Sequence, residues 1–298
     1  MTKKNVRIIL NPSAGSQNPP LRVFNNLFRK SNIDWDLVIT KGRCDGICQA
    51  DQAIKDGVDI IAAYGGDGTV MEVASGLKNT GIPLAILPGG TGNILSIELG
   101  VPQNLKEACA LITQPENSRL RTIDLGLTNH EIAPAFALRA GVGLEAAMLE
   151  GTDRELKERY GIFAYIMGAT QALHNVKEAH YNLILDGEPF ECSGISCLIA
   201  NAGYFGVPGL VLDPKIKIDD GFLDVFVLRK MDFVQLFSLA ATIVSGNELK
   251  DRTLHWQVES VSIEADPIQS TQADGEMLGE TPLEIKVGKD ALQVIVPA

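Results

Sequence analysis

Three short segments combine glycine with polar residues in a way that suits an oxyanion ligand: Asn11-Pro12-Ser13-Ala14-Gly15, Gly65-Gly66-Asp67-Gly68-Thr69 and Pro88-Gly89-Gly90-Thr91-Gly92-Asn93. Each directly follows a run of strand-forming residues. In a parallel sheet such loops emerge together at the carboxyl edge of the strands, where the N–H groups of the following helices point at a ligand. Glycine lets main-chain amides approach phosphate oxygens with no side chain between them. One such loop is explained as a tight strand-to-helix turn, but three at one edge read as a phosphate-binding rim. Asp67 would repel a naked phosphate, so it makes better sense near a magnesium ion, directly or through water. Thr69 and Thr91 can donate hydroxyls or cap the ensuing helices, and the two roles are compatible.

Further signals are weaker taken singly. Asp274-Gly275-Glu276 falls in a loop between strand candidates near 258 to 265 and 283 to 287. A second Asp-Gly-Glu, at 186 to 188, follows Leu183-Ile184-Leu185 and precedes Pro189, so a β-hairpin turn accounts for it. Gly141-Val142-Gly143-Leu144-Glu145-Ala146 fits dinucleotide-loop spacing but stands at the start of the second half, not in the first βα unit. No G-x-x-x-x-G-K-[ST] occurs, which removes the P-loop class, and no H-R-D or D-F-G set supports a protein kinase.

The elements that must position these residues fall into two textures. Val6 to Leu10, Leu21 to Lys30, Trp35 to Ile39, Ile47 to Asp56 and Asp59 to Ala63 alternate strand and helix patterns, and Pro83 to Leu87 continues the series. Strands apolar on both faces with helices between them imply a parallel sheet and an α/β domain. From about Arg119 the chain turns to strand candidates separated by turns: Tyr181 to Leu185, Ile195 to Ala200, Leu223 to Leu228, Leu254 to Ile263, Leu283 to Val287 and Leu292 to Val296. Alternation with period two and the Asp186-Gly187 turn predict a mainly antiparallel β domain. The expected domains are 1–125 and 126–298, the last strand being able to return to the first, with a ligand cleft between them.

The 298 residues carry a formal charge of −11, which disfavours a nucleic-acid binder working through a broad basic surface. Residues 1 to 43 nevertheless carry +6, leaving −17 for the remainder. Two readings of that segment stand: a basic face for a polyanion or an anionic membrane, or solvated charge on ordinary helices. The five cysteines are odd in number and scattered, with no secretory signal ahead of them, so reduced thiols in the cytoplasm are expected. Cys44 and Cys48 lack a second ligand pair and read as buried thiols, not a zinc site. The apolar stretches Gly161 to Val176 and Phe233 to Asn247 are too short to span a bilayer, and the first reads as a core-packed helix.

N-P-x-[AS]-G at 11 to 15, G-G-D-G-T at 65 to 69, P-x-G-T-x-N, D-D-G at 219 to 221 and the late D-G-E at 274 to 276 together resemble the diacylglycerol kinase catalytic-domain family. That family includes bacterial lipid kinases and is distantly related to NAD kinases and phosphofructokinases. The likeness runs through nearly the whole chain. It implies ATP held by Asn11, Thr40, Gly65, Gly66, Asp67, Gly68, Thr69, Val70, Met71, Glu72, Gly90, Thr91 and Asn93. It implies Asp274 or Glu276 as the catalytic base that accepts the substrate hydroxyl proton. It also implies a structural magnesium site at Asp220 with the carbonyls of Lys217 and Phe222, for which ordinary turn chemistry is the competing reading. The chain departs from the family at Ile94, where many members carry an acidic residue of the water and metal network, and at Met71, where asparagine is common. The resemblance thus implies an ATP- and magnesium-dependent lipid kinase with peripheral membrane contact, a homodimer being a common option. A soluble acceptor such as NAD, or a nucleotide-binding regulatory protein without turnover, are the alternatives.

Overall fold

The computed structural model describes residues 3–15, 20–31, 33–131, 133–144, 146, 178–204, 211–229 and 253–298. Gly161 to Val176 and Phe233 to Asn247 lie outside them, as does Glu145. The chain divides into one unit of Met1–Ile123 with Asp290–Ala298, and a second of Asp124–Lys289.

The first unit follows the alternating pattern of its sequence: β1 (Lys4–Leu10), α1 (Leu21–Phe28), β2 (Ile33–Ile39), α2 (Asp45–Lys55), β3 (Ile60–Gly65), α3 (Asp67–Leu77), β4 (Leu84–Pro88), α4 (Ile94–Glu98) and α5 (Leu105–Thr113). Its strands pair in parallel in the order β2-β1-β3-β4. The final residues of the chain add one more parallel strand, Val294 pairing with Leu84. β3 and β4 are buried at every position, which is why their sequences run apolar without alternation. Phe24 and Phe28 of α1 are fully buried, and Phe24 meets Tyr64 of β3 edge-to-face at 5.8 Å.

The second unit contains β5 (Ser118–Thr128, from Asp124 on), β6 (Ala135–Phe136), β7 (Arg139–Gly143), β8 (Ala179–Leu185), β9 (Glu188–Gly194), β10 (Ser196–Ala200), β11 (Leu223–Leu228), β12 (Thr253–Val258), β13 (Ser260–Asp266), β14 (Ser270–Ala273), β15 (Glu276–Glu280) and β16 (Leu283–Pro297, to Lys289). One sheet runs β12-β11-β10-β7-β14-β15, antiparallel throughout; the other places β16, β13, β8 and β9 side by side, also antiparallel. Val142, Cys197, Ile199 and Val225 from the first pack with Tyr181, Leu183, Ile263 and Ile285 from the second, so the two sheets enclose one core. Strict alternation in β8, with Ala179, Tyr181, Leu183 and Leu185 buried, sets one face inward.

Three expectations change. Leu254 to Ile263 is not one strand: the chain breaks at Glu259, where it leaves one sheet and enters the other. Leu283 to Val296 is conversely one strand, because its start pairs with β13 and its end with β4. Cys48 is exposed and Cys44 only partly covered, since Cys48 lies on the outer face of α2 and Cys44 caps that helix. Gly141 and Gly143 lie in β7 between β10 and β14, which is strand pairing and not a nucleotide-binding turn.

Candidate functional site

In the first unit the three glycine loops and Thr40 are tied together by hydrogen bonds. Asn11 donates from its main chain to the Tyr64 carbonyl at 3.0 Å and from Nδ2 to Thr69 Oγ1 at 2.9 Å. Thr40 N–H donates to the carbonyl of Leu10, the residue before Asn11, at 2.9 Å. Gly89 N–H reaches the Gly65 carbonyl at 2.9 Å. A Cβ on Gly90 would stand 2.4 Å from Gly66 Cα, so the second and third loops touch backbone to backbone, an approach that only glycine permits. Asn93, in the left-handed region at φ 49°, closes the third loop on itself: Oδ1 accepts from Gly90 N–H and Nδ2 donates to Gly90 O, both at 2.9 Å. Thr91 is exposed beside it.

The carboxylates of this region have protein partners. Ile94 N–H donates to Asp67 Oδ1 at 2.6 Å and Leu95 N–H at 3.4 Å, which fastens α3 to the start of α4. Burial pushes Asp67 upward from its ordinary value, and these amides oppose the shift. Glu72 turns to the start of α2, where Cys44 and Gly46 N–H groups each donate to it at 2.8 Å. Val70 and Met71 are buried in the core of the unit, so of the residues assigned to the nucleotide these three point their side chains elsewhere. Tyr64 is a residue that the sequence reading missed: the Cβ positions of both Gly15 and Gly89 would fall within 3.0 Å of its phenol. The first and third loops therefore rest on its ring. Its place directly before Gly65-Gly66 was the available signal.

In the second unit Asp274-Gly275 forms the turn between β14 and β15, with Asp274 at φ 43° and Gly275 at φ 87°. The half-buried Asp274 carboxylate sits in a nest of three consecutive amides. Ala137 N–H donates to Oδ2 at 2.8 Å, Arg139 N–H to Oδ1 at 2.9 Å, and Leu138 N–H to both oxygens at 3.2 and 3.3 Å. Burial nevertheless outweighs these bonds and the nearby Arg139 charge, and lifts Asp274 to about 6. Glu276, two residues on, opens β15 and is partly buried. The other Asp-Gly-Glu is a hairpin turn between β8 and β9, and Asp186 accepts from Glu259 and Ser260 N–H groups at 2.9 and 2.7 Å.

The Asp-Asp-Gly loop precedes β11. Asp220 Oδ1 accepts from Phe222 N–H at 3.2 Å and Oδ2 from Gln257 Nε2 at 3.3 Å, while Lys217 is exposed. Asp220 is raised first by burial, and then by the charges of Asp224, Asp124 and Asp219. Asp124, also missed in the sequence, accepts from Gly221 N–H at 2.6 Å. Its signal was a carboxylate inside the apolar run Ile123-Asp124-Leu125. Among the described residues no three His, Cys, Asp or Glu side chains group closely enough to hold an ion by themselves.

Residues 5–127 match the model of the diacylglycerol kinase catalytic domain, and residues 139–296 that of the YegS C-terminal NAD kinase beta sandwich-like domain. An uncharacterized protein of Synechocystis sp. is 32% identical, covering 99% of this chain and 70% of the relative. A protein of Staphylococcus carnosus named "putative lipid kinase" is 27% identical over 85% of this chain and 81% of its own. Among solved structures, one described as a "putative diacylglycerol kinase" from Bacillus anthracis superposes with a TM-score of 0.79 at 27% identity, covering 99% of this chain and 97% of that one. The chain belongs to the diacylglycerol kinase catalytic-domain family, a family of lipid kinases, and has its α/β and antiparallel β architecture.

Proposed function

We propose that this protein transfers the γ-phosphate of ATP to a hydroxyl of a diacylglycerol-like or sphingoid lipid, with Asp274 as the proton acceptor. The observation that carries the reading is the Asp274 nest, in which amides fix the carboxylate while burial raises it to about 6. A general base serves best when its proton affinity lies near the working pH, and an ordinary exposed aspartate does not meet that condition. The lipid acceptor is supported by the names of the relatives.

Residues 1–125, with the strand that returns from Asp290 onward, then form the nucleotide half, and the remainder of 126–298 the acceptor half. The amides of the three glycine loops receive the phosphate oxygens, with Asn11 and Thr69 holding the first two loops in register. Asp274 takes the proton of the acceptor hydroxyl as its oxygen forms the new bond to the γ-phosphorus, and the bond from that phosphorus to the ADP oxygen breaks. Asp274 is the acceptor and not Glu276, because three amides orient it.

Magnesium would find carboxylate oxygens in two places, neither of which, among the described residues, holds an ion by side chains alone. Asp67 takes the Ile94 and Leu95 amides on Oδ1, and its Oδ2 would be the oxygen turned to an ion carried mainly by nucleotide phosphates. At the second place Asp220, raised by burial and then by the charges of Asp224, Asp124 and Asp219, would offer hard oxygen chemistry with the Lys217 and Phe222 carbonyls. When bound, the ion offsets negative charge on the phosphates.

No helix among the described residues is long and apolar enough to cross a membrane. Peripheral contact from the cytoplasmic side, through the exposed Arg22, Arg29 and Lys30, fits a lipid acceptor. The test is incubation with radiolabelled ATP and separate pools of total lipid and soluble acceptors. Label should enter a lipid and vanish in Asp274→Ala; transfer to the soluble pool alone, or undiminished transfer by the variant, overturns the proposal.

A further inference from the structure

Asn201, the residue after β10, is completely buried. Its Nδ2 donates to the main-chain carbonyl of Asp124 at 2.9 Å and to that of Ala137 at 2.8 Å. These bonds fix which way the amide points, since a flipped group would set its oxygen against two carbonyls. The remaining atom, Oδ1, is buried and meets no donor. A leucine would occupy similar space without that unoffset desolvation, so packing does not explain the choice of an amide.

Of the three carbonyls to which Asn201 donates, two, those of Ala137 and Leu138, belong to the peptide planes that hold Asp274. The plane between Ala137 and Leu138 gives its carbonyl to Asn201 Nδ2 and its N–H, that of Leu138, to the Asp274 carboxylate. The next plane gives its carbonyl, that of Leu138, to the main-chain N–H groups of Asn201 and Ala202 at 2.8 and 3.1 Å, and its N–H, that of Arg139, to Asp274 Oδ1. Both planes are thus gripped at the carbonyl end from the segment after β10 and present the N–H end to the carboxylate. A donor at a peptide carbonyl also polarises the N–H of the same plane. The second arm of Asn201 reaches Asp124, whose carboxylate receives Gly221 N–H of the Asp-Asp-Gly loop.

We infer that Asn201 is a positioning residue, the side chain that holds and polarises the Ala137–Leu138 peptide so that the amide nest keeps Asp274 in place. The inference rests on the proposal that Asp274 is the base for its consequence in turnover, but the placement itself can be read without turnover. The charged group facing the carboxylate in this nest is Arg139.

The experiment is a carbon-13 carboxyl titration of the full chain, with Asp274 assigned by its loss in Asp274→Asn, alongside kcat and KM for ATP and lipid. In Asn201→Leu the weakened amide should move the Asp274 midpoint upward by about half a unit or more. It should lower kcat about tenfold or more, with KM for ATP within about twofold. Should Asn201→Leu fail to fold, Asn201→Ser, which keeps one hydroxyl donor, is read by the same titration and should shift in the same direction. A midpoint that stays in place or falls in a folded variant overturns the inference. If the midpoint rises but Asp274→Asn retains turnover, the placement stands and the base assignment falls.

Discussion

Between pH 4 and 6 the activity and the stability of this protein should move in opposite directions, with a single carboxyl responsible for the difference. Asp274 is raised from 3.8 to about 6 in the folded chain. The folded state therefore keeps a proton where the unfolded state releases it. The advantage is full below the unfolded value and is lost as pH climbs through about 6. Two units correspond to about 3 kcal/mol, a ceiling for a half-buried group with some solvent screening. Activity runs the other way, because the base works only when ionised: at pH 5 roughly a tenth of the molecules qualify, and kcat/KM should fall about tenfold for each further unit. The assay compares wild type with Asp274→Asn, measuring urea unfolding from pH 4 to 7.5 and lipid phosphorylation in mixed micelles. The variant sets an NH2 group against the nest and should be less stable at pH 4, with the gap narrowing toward pH 6.5. A gap independent of pH, or a wild-type acid limb centred near 4, refutes the reasoning.

Gly90→Ala should weaken nucleotide binding by calorimetry about tenfold or more, because its Cβ would press 2.4 Å from Gly66 Cα and force two loops apart; unchanged affinity would separate those loops from the nucleotide. Glu72→Gln leaves one of the Cys44 and Gly46 amides facing an NH2 group and the other with a neutral acceptor, and should lose about 1–2 kcal/mol in thermal unfolding. An unchanged melting temperature with lower ATP affinity would return Glu72 to the nucleotide. Asp186→Ala should lose about 1–2 kcal/mol by uncapping Glu259 and Ser260, with kcat unaltered; a fall in kcat would make that hairpin more than a turn.

Local pattern carried much of the fold. β3 and β4 were legible because a strand covered on both faces must be apolar throughout, and β8 because its faces alternate. The glycine loops were legible for a related reason, since close backbone approach excludes every other residue at Gly90. Periodicity says nothing of which sheet a strand joins, so the break at Glu259 and the continuity of β16 stayed hidden. Partner choice was equally hidden. Glu72 looked like a ligand of the nucleotide, yet the Cys44 and Gly46 amides, 28 and 26 residues earlier, donate to it, and Asp67, beside the ion role proposed for it, accepts from Ile94 27 residues on. The nest around Asp274 comes from a segment 135 to 137 residues earlier, which no local pattern encodes. Asp124 and Asn201 left a faint mark, a polar residue within or at the end of an apolar run.

The strand from Asp290 onward completes the first unit: Val294 lies beside Leu84, Ala291 accepts from Asn79, and Ala298 donates to Asn117. Residues 1–123 made alone would bare the flank of β4, a row of unsatisfied main-chain groups open to pairing with other chains. On the ribosome the first unit must wait for residues 290–298 before its sheet is whole. A soluble excised version would therefore need residues 290–298 grafted back, or supplied as a free peptide, before it could be handled as a separate protein.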